Sequence, residues 1–321
     1  MVIKSNCTLT RFQLSSYLLV CHDFSVKNNV KMMRFHLKRA QCVSTMSNDS
    51  QIVNFFKNQT IFLTGGTGLI GKLLVEKLLR TSFDVKKIYI LVRAKHGKNC
   101  QQRFDHFFNN SVSNKWSFLT VPKLLLQCFE KINQENKSKV SFISGDCSKP
   151  DLGLKSEDVD ILKTETTCVI HAAANVNFRQ TIKEASYNVN STKEMIKLAK
   201  EMNNLKVFVY VSTAYSNCVN NHIREEIYEP PIKAEAFLHL VNSCNEDDLE
   251  NIFFSYLNKW PNNYVFSKCL SEDLIKNSLL ETPIAVVRPS SGKFTTHLLD
   301  SRNEHLHFSY EYYERTGSRV D

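Results

Sequence analysis

The chain has 321 residues, of which 42% are hydrophobic, enough for one large α/β domain or two small ones. Its formal net charge is +9, but the lysines and arginines are scattered rather than gathered into a stripe, so nucleic-acid binding is not expected. The ten cysteines show no paired metal-ligand spacing, and no run of about 18 apolar residues occurs. We therefore predict reduced thiols in a cytosol-facing protein, with neither a metal site nor a membrane-spanning helix.

The first 45 residues are basic and contain a single acid, Asp23. This composition is compatible with a mitochondrial transit peptide. We favour the alternative that these residues are an extension upstream of a natural start at Met46, because the chain from Met46 leads directly into the first predicted strand.

A glycine-rich turn at residues 64–68 lies between a short apolar run and a helical pattern. Strand, glycine turn and helix in this order are the context of a dinucleotide-binding loop, whereas a simple tight turn is the alternative. We expect Gly65 to allow the turn, Gly68 to let the backbone approach a pyrophosphate, and Gly71 to let the helix pack closely. The free N–H groups at the start of the helix would then face the phosphates.

The second predicted strand, 87–93, ends in a basic residue, Arg93, and Lys95 follows. Enzymes that bind NAD usually end this strand in Asp or Glu, which holds the ribose 2′-hydroxyl. A carboxylate would repel a 2′-phosphate, whereas Arg93 and Lys95 could pair with one. The strand end therefore favours NADPH, with a solvated basic loop as the alternative.

The third and fourth predicted strands, 139–146 and 167–174, end in residues suited to a flat ligand. Asp146 could accept a hydrogen bond from an adenine amino group, and a helix-capping or turn role is an alternative that does not exclude the first. The fourth strand ends in alanines, which would let a cofactor lie against the backbone. We expect His171 to be a packed or hydrogen-bonded histidine rather than a base.

A long helix is predicted over 181–202, and its Asn188 could brace the site as a buried amide. The fifth predicted strand, 205–213, is apolar until it ends in Ser212 and Thr213. A hydroxyl at this strand end would face the cofactor pocket and could donate a hydrogen bond to a substrate carbonyl.

Tyr264 and Lys268 are four residues apart in a predicted helix, which places both on one face. Hydride transfer to a carbonyl carbon leaves an alkoxide that must receive a proton, and a free tyrosine has a pKa near ~10. A nearby ammonium stabilises the phenolate and lowers that pKa, and it can also hold ribose hydroxyls. A surface tyrosine with a solvated lysine is the alternative.

A sixth strand, 283–289, restores the parallel pattern, and a polar, irregular segment follows.

In this order the motifs resemble the fatty acyl-CoA reductases, an extended branch of the short-chain dehydrogenase/reductase superfamily, and insect members are the most similar. The matching segments are 64–80, 90–97, 145–154, 171–178, 210–215, 225–231, 264–268 and 287–290. The resemblance implies an α/β fold with a doubly wound parallel sheet of the Rossmann type. It divides the chain into a disordered basic extension (1–48), an NADP-binding domain with the catalytic helix (49–290) and an irregular tail (291–321).

The resemblance also implies NADPH-dependent reduction of a long-chain acyl-CoA to a fatty alcohol, in two hydride steps through an aldehyde. Tyr264 would donate the proton, Lys268 would activate it and hold the ribose, and Thr213, with Ser212 beside it, would polarise the carbonyl. The residues expected to contact the cofactor are Gly65, Thr67, Gly68, Leu69, Ile70, Gly71, Arg93, Lys95, Asp146, Cys147, Ala172, Ala173, Tyr264, Lys268 and Pro289.

Family members continue beyond the sixth strand with a segment that completes the substrate site, a C-terminal domain and often a membrane-associated tail. We find no such sequence after Ser290, and we therefore expect a truncated chain that lacks the acyl-chain tunnel. By resemblance the location would be the endoplasmic reticulum or peroxisome surface. Two other functions stay open: an NADP-dependent reductase of another carbonyl, and a non-catalytic dinucleotide-binding fragment.

Overall fold

Six parallel strands form one sheet in the computed structural model. The structure describes residues 2–3, 25–27, 30–32, 51–81, 84–94, 97, 100–109, 129–130, 132–257, 259–290, 293–294 and 308–309. The strands are β1 (Thr60–Thr64), β2 (Lys87–Val92), β3 (Val140–Ser144), β4 (Cys168–His171), β5 (Val207–Val211) and β6 (Ile284–Val287). Their order, β3-β2-β1-β4-β5-β6, is the doubly wound dinucleotide-binding order, so the predicted fold class is confirmed. A two-residue strand, Val2–Ile3, pairs antiparallel with the outer edge of β6.

Helices cover both faces of this sheet because successive strand residues point to opposite sides. Ile61 and Leu63 of β1 belong to one apolar cluster, and Phe62 belongs to the other. The helices in the described part of the chain are α1 (Gln51–Phe56), α2 (Leu69–Thr81), α3 (Cys100–Asn109), α4 (Gln134–Ser138), α5 (Ser156–Glu165), α6 (Ile182–Lys200), α7 (Ala234–Ser243), α8 (Glu246–Leu257) and α9 (Asn263–Ser278). Helices α2 and α3 pack on the first side, and α6 to α9 pack on the second.

Helix α9 lies inside the second layer, and every residue from Val265 to Ile275 is buried. Its first turn is capped by Asn262, whose side-chain oxygen accepts a hydrogen bond of 2.9 Å from the backbone N–H of Val265. A helix buried on all sides shows no clear apolar stripe, and any polar side chain it carries must find a partner inside the protein. The polar residues of α9 therefore decide which neighbouring elements it is bonded to.

Several boundaries differ from those predicted. Helix α1 precedes β1, where a direct entry into the strand was expected. Strand β3 ends at Ser144 rather than at Asp146, because the chain turns there into a hydrogen-bonded loop. Helices α7 and α8 were not predicted. The proposed extension 1–48 and tail 291–321 lie almost wholly outside the described residues, so the domain boundaries remain predictions.

No helix within the described ranges is long and apolar enough to cross a membrane. The six cysteines that the structure describes are free thiols.

Candidate active site

The glycine loop forms a cradle that has no room for side chains. Gly65 has a φ of +72°, and a Cβ built on it would lie 2.6 Å from the backbone carbon of Ala172 and 2.6 Å from the nitrogen of Ala173. A Cβ on Gly71 would lie 2.3 Å from the carbonyl oxygen of Gly65. The loop therefore lies directly against the end of β4, at the point where the strand order reverses, which is where doubly wound sheets bind their ligands.

Two guanidinium groups lie beside this cradle. Arg103 of α3 donates a hydrogen bond of 3.1 Å to the hydroxyl oxygen of Thr67 and a second, short one to the carbonyl oxygen of Arg93. Burial lowers the pKa of Arg103, and the positive charge of Arg93 lowers it further. Repulsion between like charges of this kind is relieved when an anion binds between them. Arg103 was missed by the sequence interpretation because no spacing rule links a residue in α3 to the loop; Lys95 lies outside the described residues.

Helix α2 begins directly after the cradle, with Leu69 and Ile70 exposed at its first turn. Gly68 donates from its backbone N–H to the carbonyl oxygen of Gly65 over 3.0 Å, which closes the loop onto the helix. The first N–H groups of a helix have no partner within it, so this end can donate hydrogen bonds to the oxygens of a phosphate.

Asp146 forms a turn at the carboxyl end of β3. Its Oδ1 accepts hydrogen bonds from the backbone N–H of Ser148 at 3.0 Å and from the Ser148 hydroxyl at 2.9 Å. The predicted turn role is confirmed, and a contact with adenine stays a prediction. Burial raises the pKa of the neighbouring Cys147 to about 12, so this thiol is neutral and could only pack against a ligand.

His171 lies at the end of β4 with no exposed surface. Its Nδ1 is 2.7 Å from the hydroxyl of Thr64, which also accepts a hydrogen bond from the backbone N–H of Ala173. Burial, together with the positive charge of Lys268, lowers the pKa of His171 to about 3. The imidazole is therefore neutral and structural, and the prediction of a packed histidine is confirmed.

Asn188 of α6 braces the loop that follows β4. Its Oδ1 accepts from the backbone N–H of Asn175 at 2.7 Å, and its Nδ2 donates to the carbonyl oxygen of the same residue at 3.0 Å. The Nδ2 also donates to the hydroxyl of Ser267 in α9, which in turn donates to the carbonyl oxygen of Tyr264. The predicted bracing amide therefore links the β4 loop to the helix that carries the candidate proton donor.

Ser212 and Thr213 are both buried after β5, but they do not have the same surroundings. The Ser212 hydroxyl donates its proton to Oε1 of Glu272 over 2.5 Å. The backbone N–H of Ala214, one residue beyond Thr213, donates to the carbonyl oxygen of Pro289 at 2.9 Å and so ties this loop to the end of β6. Because Ser212 has only one hydroxyl proton, Thr213 is the better candidate to bond a substrate carbonyl.

Lys268 is 2% exposed, and its ammonium reaches the end of β5. The Nζ donates to the carbonyl oxygen of Val211 at 2.8 Å and to the hydroxyl of Tyr210 at 3.3 Å, and it lies 4.7 Å from the centre of the Tyr210 ring. Burial lowers the pKa of Lys268 to about 7, and the carboxylate of Glu272 opposes that decrease. These bonds place the face of α9 that carries Lys268 beside the Ser212–Thr213 loop.

Tyr264 is half-buried at the start of α9, with its ring 5.8 Å from the ring of Phe178 in the β4 loop. Burial raises its pKa, so the expected decrease caused by Lys268 is wrong. The cause of the increase is desolvation of the phenolate, while the ammonium of Lys268 is bonded to Val211 and Tyr210. Tyr264 consequently keeps its proton at neutral pH, which is the state that a proton donor needs.

The comparison with known families decides what kind of protein carries this site. Residues 63–302 match the family described as Male sterility protein, a family of NAD-binding domains. The chain belongs to this family. The match covers the cradle and all four candidate catalytic residues, Ser212, Thr213, Tyr264 and Lys268, and it supports a nicotinamide cofactor in the Rossmann-type fold described above.

The known relatives of this chain include fatty acyl-CoA reductases, which confirms the resemblance seen in the motifs. It is 35% identical over 266 residues to "Fatty acyl-CoA reductase wat" of Drosophila melanogaster, covering 83% of this chain and 48% of the relative. It is 34% identical over 242 residues to "Fatty acyl-CoA reductase 2" of Homo sapiens, covering 75% of this chain and 44% of the relative. The chain thus spans about half the length of the relatives it matches.

Solved reductase domains share the fold of this male sterility family member. The terminal R domain of the myxalamid PKS-NRPS pathway superposes with a TM-score of 0.51 at 23% identity, covering 77% of this chain and 52% of that one. The reductase domain of a non-ribosomal peptide synthetase from Mycobacterium tuberculosis gives a TM-score of 0.50 at 25% identity, over 77% and 54%.

Proposed function

We propose that this chain is the reductase domain of a fatty acyl-CoA reductase that uses NADPH to convert a long-chain acyl-CoA to an aldehyde and then to an alcohol. The observation that carries the proposal is the buried Lys268, bonded to the end of β5 on the helix that also bears Tyr264. The known relatives supply the substrate class.

The cradle fits a dinucleotide, because the positions where a Cβ would overlap the backbone are occupied by Gly65 and Gly71. NADPH, when bound, supplies the hydride. The preference for NADPH over NADH rests on Arg93 and Arg103, whose neighbouring positive charges would both be stabilised by a 2′-phosphate. An uncharged 2′-hydroxyl offers no such compensation.

The side chains of the site have separate tasks in this scheme. Thr213 donates a hydrogen bond to the carbonyl oxygen of the thioester and then of the aldehyde, and so stabilises the negative charge that develops there. Tyr264 gives its proton to that oxygen as hydride reaches the carbon, since burial has kept the phenol protonated. Lys268, with a pKa of about 7, can hold ribose hydroxyls and stabilise the phenolate that forms. In the first reduction the product of these two transfers is a hemithioacetal; its C–S bond breaks and its hydroxyl proton passes to the leaving thiolate, which gives the aldehyde and the thiol of CoA. In the second reduction the proton stays on the oxygen, which gives the alcohol.

The test is NADPH oxidation with palmitoyl-CoA, with a fatty aldehyde and with no acceptor. Turnover of palmitoyl-CoA supports the proposal. Turnover of the aldehyde or of other carbonyls alone would indicate a reductase of a different substrate, and NADPH binding without any turnover would indicate a non-catalytic nucleotide-binding domain. Tyr264→Phe should remove turnover while leaving the NADPH dissociation constant largely unchanged, and unchanged turnover would refute Tyr264 as the donor.

A further inference from the structure

Helix α9 carries a third ionisable residue on the face of Tyr264 and Lys268. Glu272 lies one turn after Lys268 and two turns after Tyr264, and its side chain is 1% exposed. Residues four apart on a helix have neighbouring side chains, with Cβ atoms about 5–6 Å apart. The proposed function leaves Glu272 without a task.

Five hydrogen bonds converge on the Glu272 carboxylate. Oε1 accepts from the hydroxyl of Ser212 at 2.5 Å, from the hydroxyl of Ser216 at 2.9 Å and from Nε of Arg288 at 2.9 Å. Oε2 accepts from Nδ2 of Asn217 at 3.0 Å and from Nη2 of Arg288 at 2.7 Å. The carboxylate therefore holds both ends of the 212–217 loop that bears Thr213.

Arg288 extends the same cluster to a second loop. It is 4% exposed after β6, and its Nη1 and Nη2 donate to the carbonyl oxygens of Arg224 at 3.2 Å and Glu226 at 2.8 Å. One buried ion pair thus connects α9, the end of β5, the end of β6 and the segment around residue 225. Trp260 fixes the first loop from another side through a 3.1 Å bond from its indole N–H to the carbonyl oxygen of Ser216.

Stability alone does not explain this cluster. Removing two charges from water is unfavourable, and apolar residues of similar volume often replace a buried ion pair with no loss of stability. What an apolar pair could not provide is a fixed acceptor for the Ser212 hydroxyl and a negative charge one turn from Lys268. Both of these act on the groups assigned above to the reaction.

We propose that Glu272, held by Arg288, is a positioning residue that fixes the loop presenting Thr213 and supports the positive charge of Lys268. The inference rests on the proposed function for its purpose, although its contacts are independent of the substrate. Ser212 is accordingly part of the positioning cluster and does not touch the substrate.

The groups that face Lys268 set the direction of the expected effects. Tyr210 and the neutral His171 face it from the sheet, Tyr264 and Glu272 lie one turn away on its own helix, and Arg288 lies behind Glu272. Burial lowers the pKa of Lys268, and Glu272 is the group that opposes it. Removing the Glu272 charge should therefore lower that pKa further, whereas removing the Arg288 charge should raise it.

The experiment compares Glu272→Gln, Arg288→Gln and, as a matched control, Glu76→Gln in the full chain. Glu76 is also buried and also paired with an arginine, Arg80 at 2.6 Å, but on α2. Two quantities are measured: the Lys268 titration by ¹⁵N NMR of its Nζ, assigned with Lys268→Met, and the NADPH dissociation constant from pH 5.5 to 9.5 by fluorescence. The Lys268 midpoint should fall by about one pH unit in Glu272→Gln, rise in Arg288→Gln and stay in place in Glu76→Gln.

Shifts of the first two variants in the same direction, or no shift in either, would overturn the proposal, since a purely structural role affects both alike. If Glu272→Gln does not fold, Arg288→Gln and the conservative Arg288→Lys decide. A Lys268 midpoint that rises in Arg288→Gln, and rises less in Arg288→Lys, supports the proposal, and an unchanged midpoint overturns it. The NMR titration needs neither cofactor nor substrate. Absence of acyl-CoA turnover in the wild-type chain would thus contradict the proposed function, whereas the role of Glu272 would still be decided by the NMR titration.

Discussion

The cradle makes a quantitative prediction because Gly97, a described glycine with almost the same positive φ, provides a matched control for Gly65. Gly65 has a φ of +72° with backbone atoms 2.6 Å from the site of a Cβ, and Gly97 has a φ of +71° with no atom of the described residues within 4 Å of that site. An alanine at either position carries the left-handed penalty of roughly 1–2 kcal/mol. Only Gly65→Ala adds an overlap, and its neighbours, the main-chain atoms of Ala172 and Ala173, cannot rotate away.

Overpacking of this kind typically costs about 1–3 kcal/mol. Gly65→Ala should therefore lower the free energy of unfolding by roughly 2–5 kcal/mol, and Gly97→Ala by roughly 1–2 kcal/mol. Urea unfolding gives the two free energies, and fluorescence titration gives the NADPH dissociation constants. Because the overlap pushes the loop away from β4, NADPH affinity should fall for Gly65→Ala and remain near wild type for Gly97→Ala. Equal losses of stability with equal affinities would refute the reasoning.

Three further predictions concern single side chains. Arg103→Met should weaken NADPH binding by about 10- to 100-fold, because a charge-assisted hydrogen bond contributes about 1.5–3 kcal/mol, and should leave NADH binding unchanged; equal losses for both cofactors would contradict the assignment. Thr213→Val should lower kcat about 100-fold, whereas Ser212→Ala, which removes one of five bonds to Glu272, should lower it much less; the reverse ranking would exchange their roles. His171 has a folded-state pKa of about 3, below its unfolded value of 6.5, so its contribution to stability is complete above pH 6.5 and decreases by about 1.4 kcal/mol per unit as the pH falls toward 3. In His171→Gln that part of the slope should disappear from urea unfolding measured between pH 4 and 7, and an unchanged slope would show that His171 is not buried neutral.

The fold class and the glycine cradle could be predicted from local sequence patterns. The strand, glycine turn and helix at residues 60–81 are contiguous, so the dinucleotide-binding loop can be recognised from one short stretch of sequence. The parallel direction of the strands follows from the alternation of strands and helices, because parallel strands need crossover connections. Tyr264 and Lys268 could also be found, since one helix sets their spacing.

Long-range contacts could not be predicted in the same way. Ser212 and Glu272 are 60 residues apart, and Thr67 and Arg103 are 36 apart; nothing in either local sequence specifies the partner. The direction of the Tyr264 shift was missed for a related reason, because desolvation depends on the helices that enclose α9. Helices α7 and α8 are a different case, because the sequence does contain a helical signal for them. Each has two buried apolar residues four positions apart, Phe237 and Val241 in α7 and Leu249 and Phe253 in α8.

The charges buried beside the end of β5 do not cancel. Glu272 and Arg288 compensate each other, His171 is neutral because burial lowers its pKa to about 3, and Tyr264 keeps its proton because burial raises its pKa. Among these groups Lys268 supplies the remaining charge, with a pKa of about 7. A positive group held in a dry site stabilises negative charge most where that charge develops. In the proposed reaction, negative charge on a carbonyl oxygen or on the phenolate of Tyr264 would raise the pKa of Lys268 again, so the lysine would hold its proton most firmly when that charge develops. The burial that lowers the pKa of Lys268 to about 7 would therefore make its protonation sensitive to the charge that the proposed reaction creates.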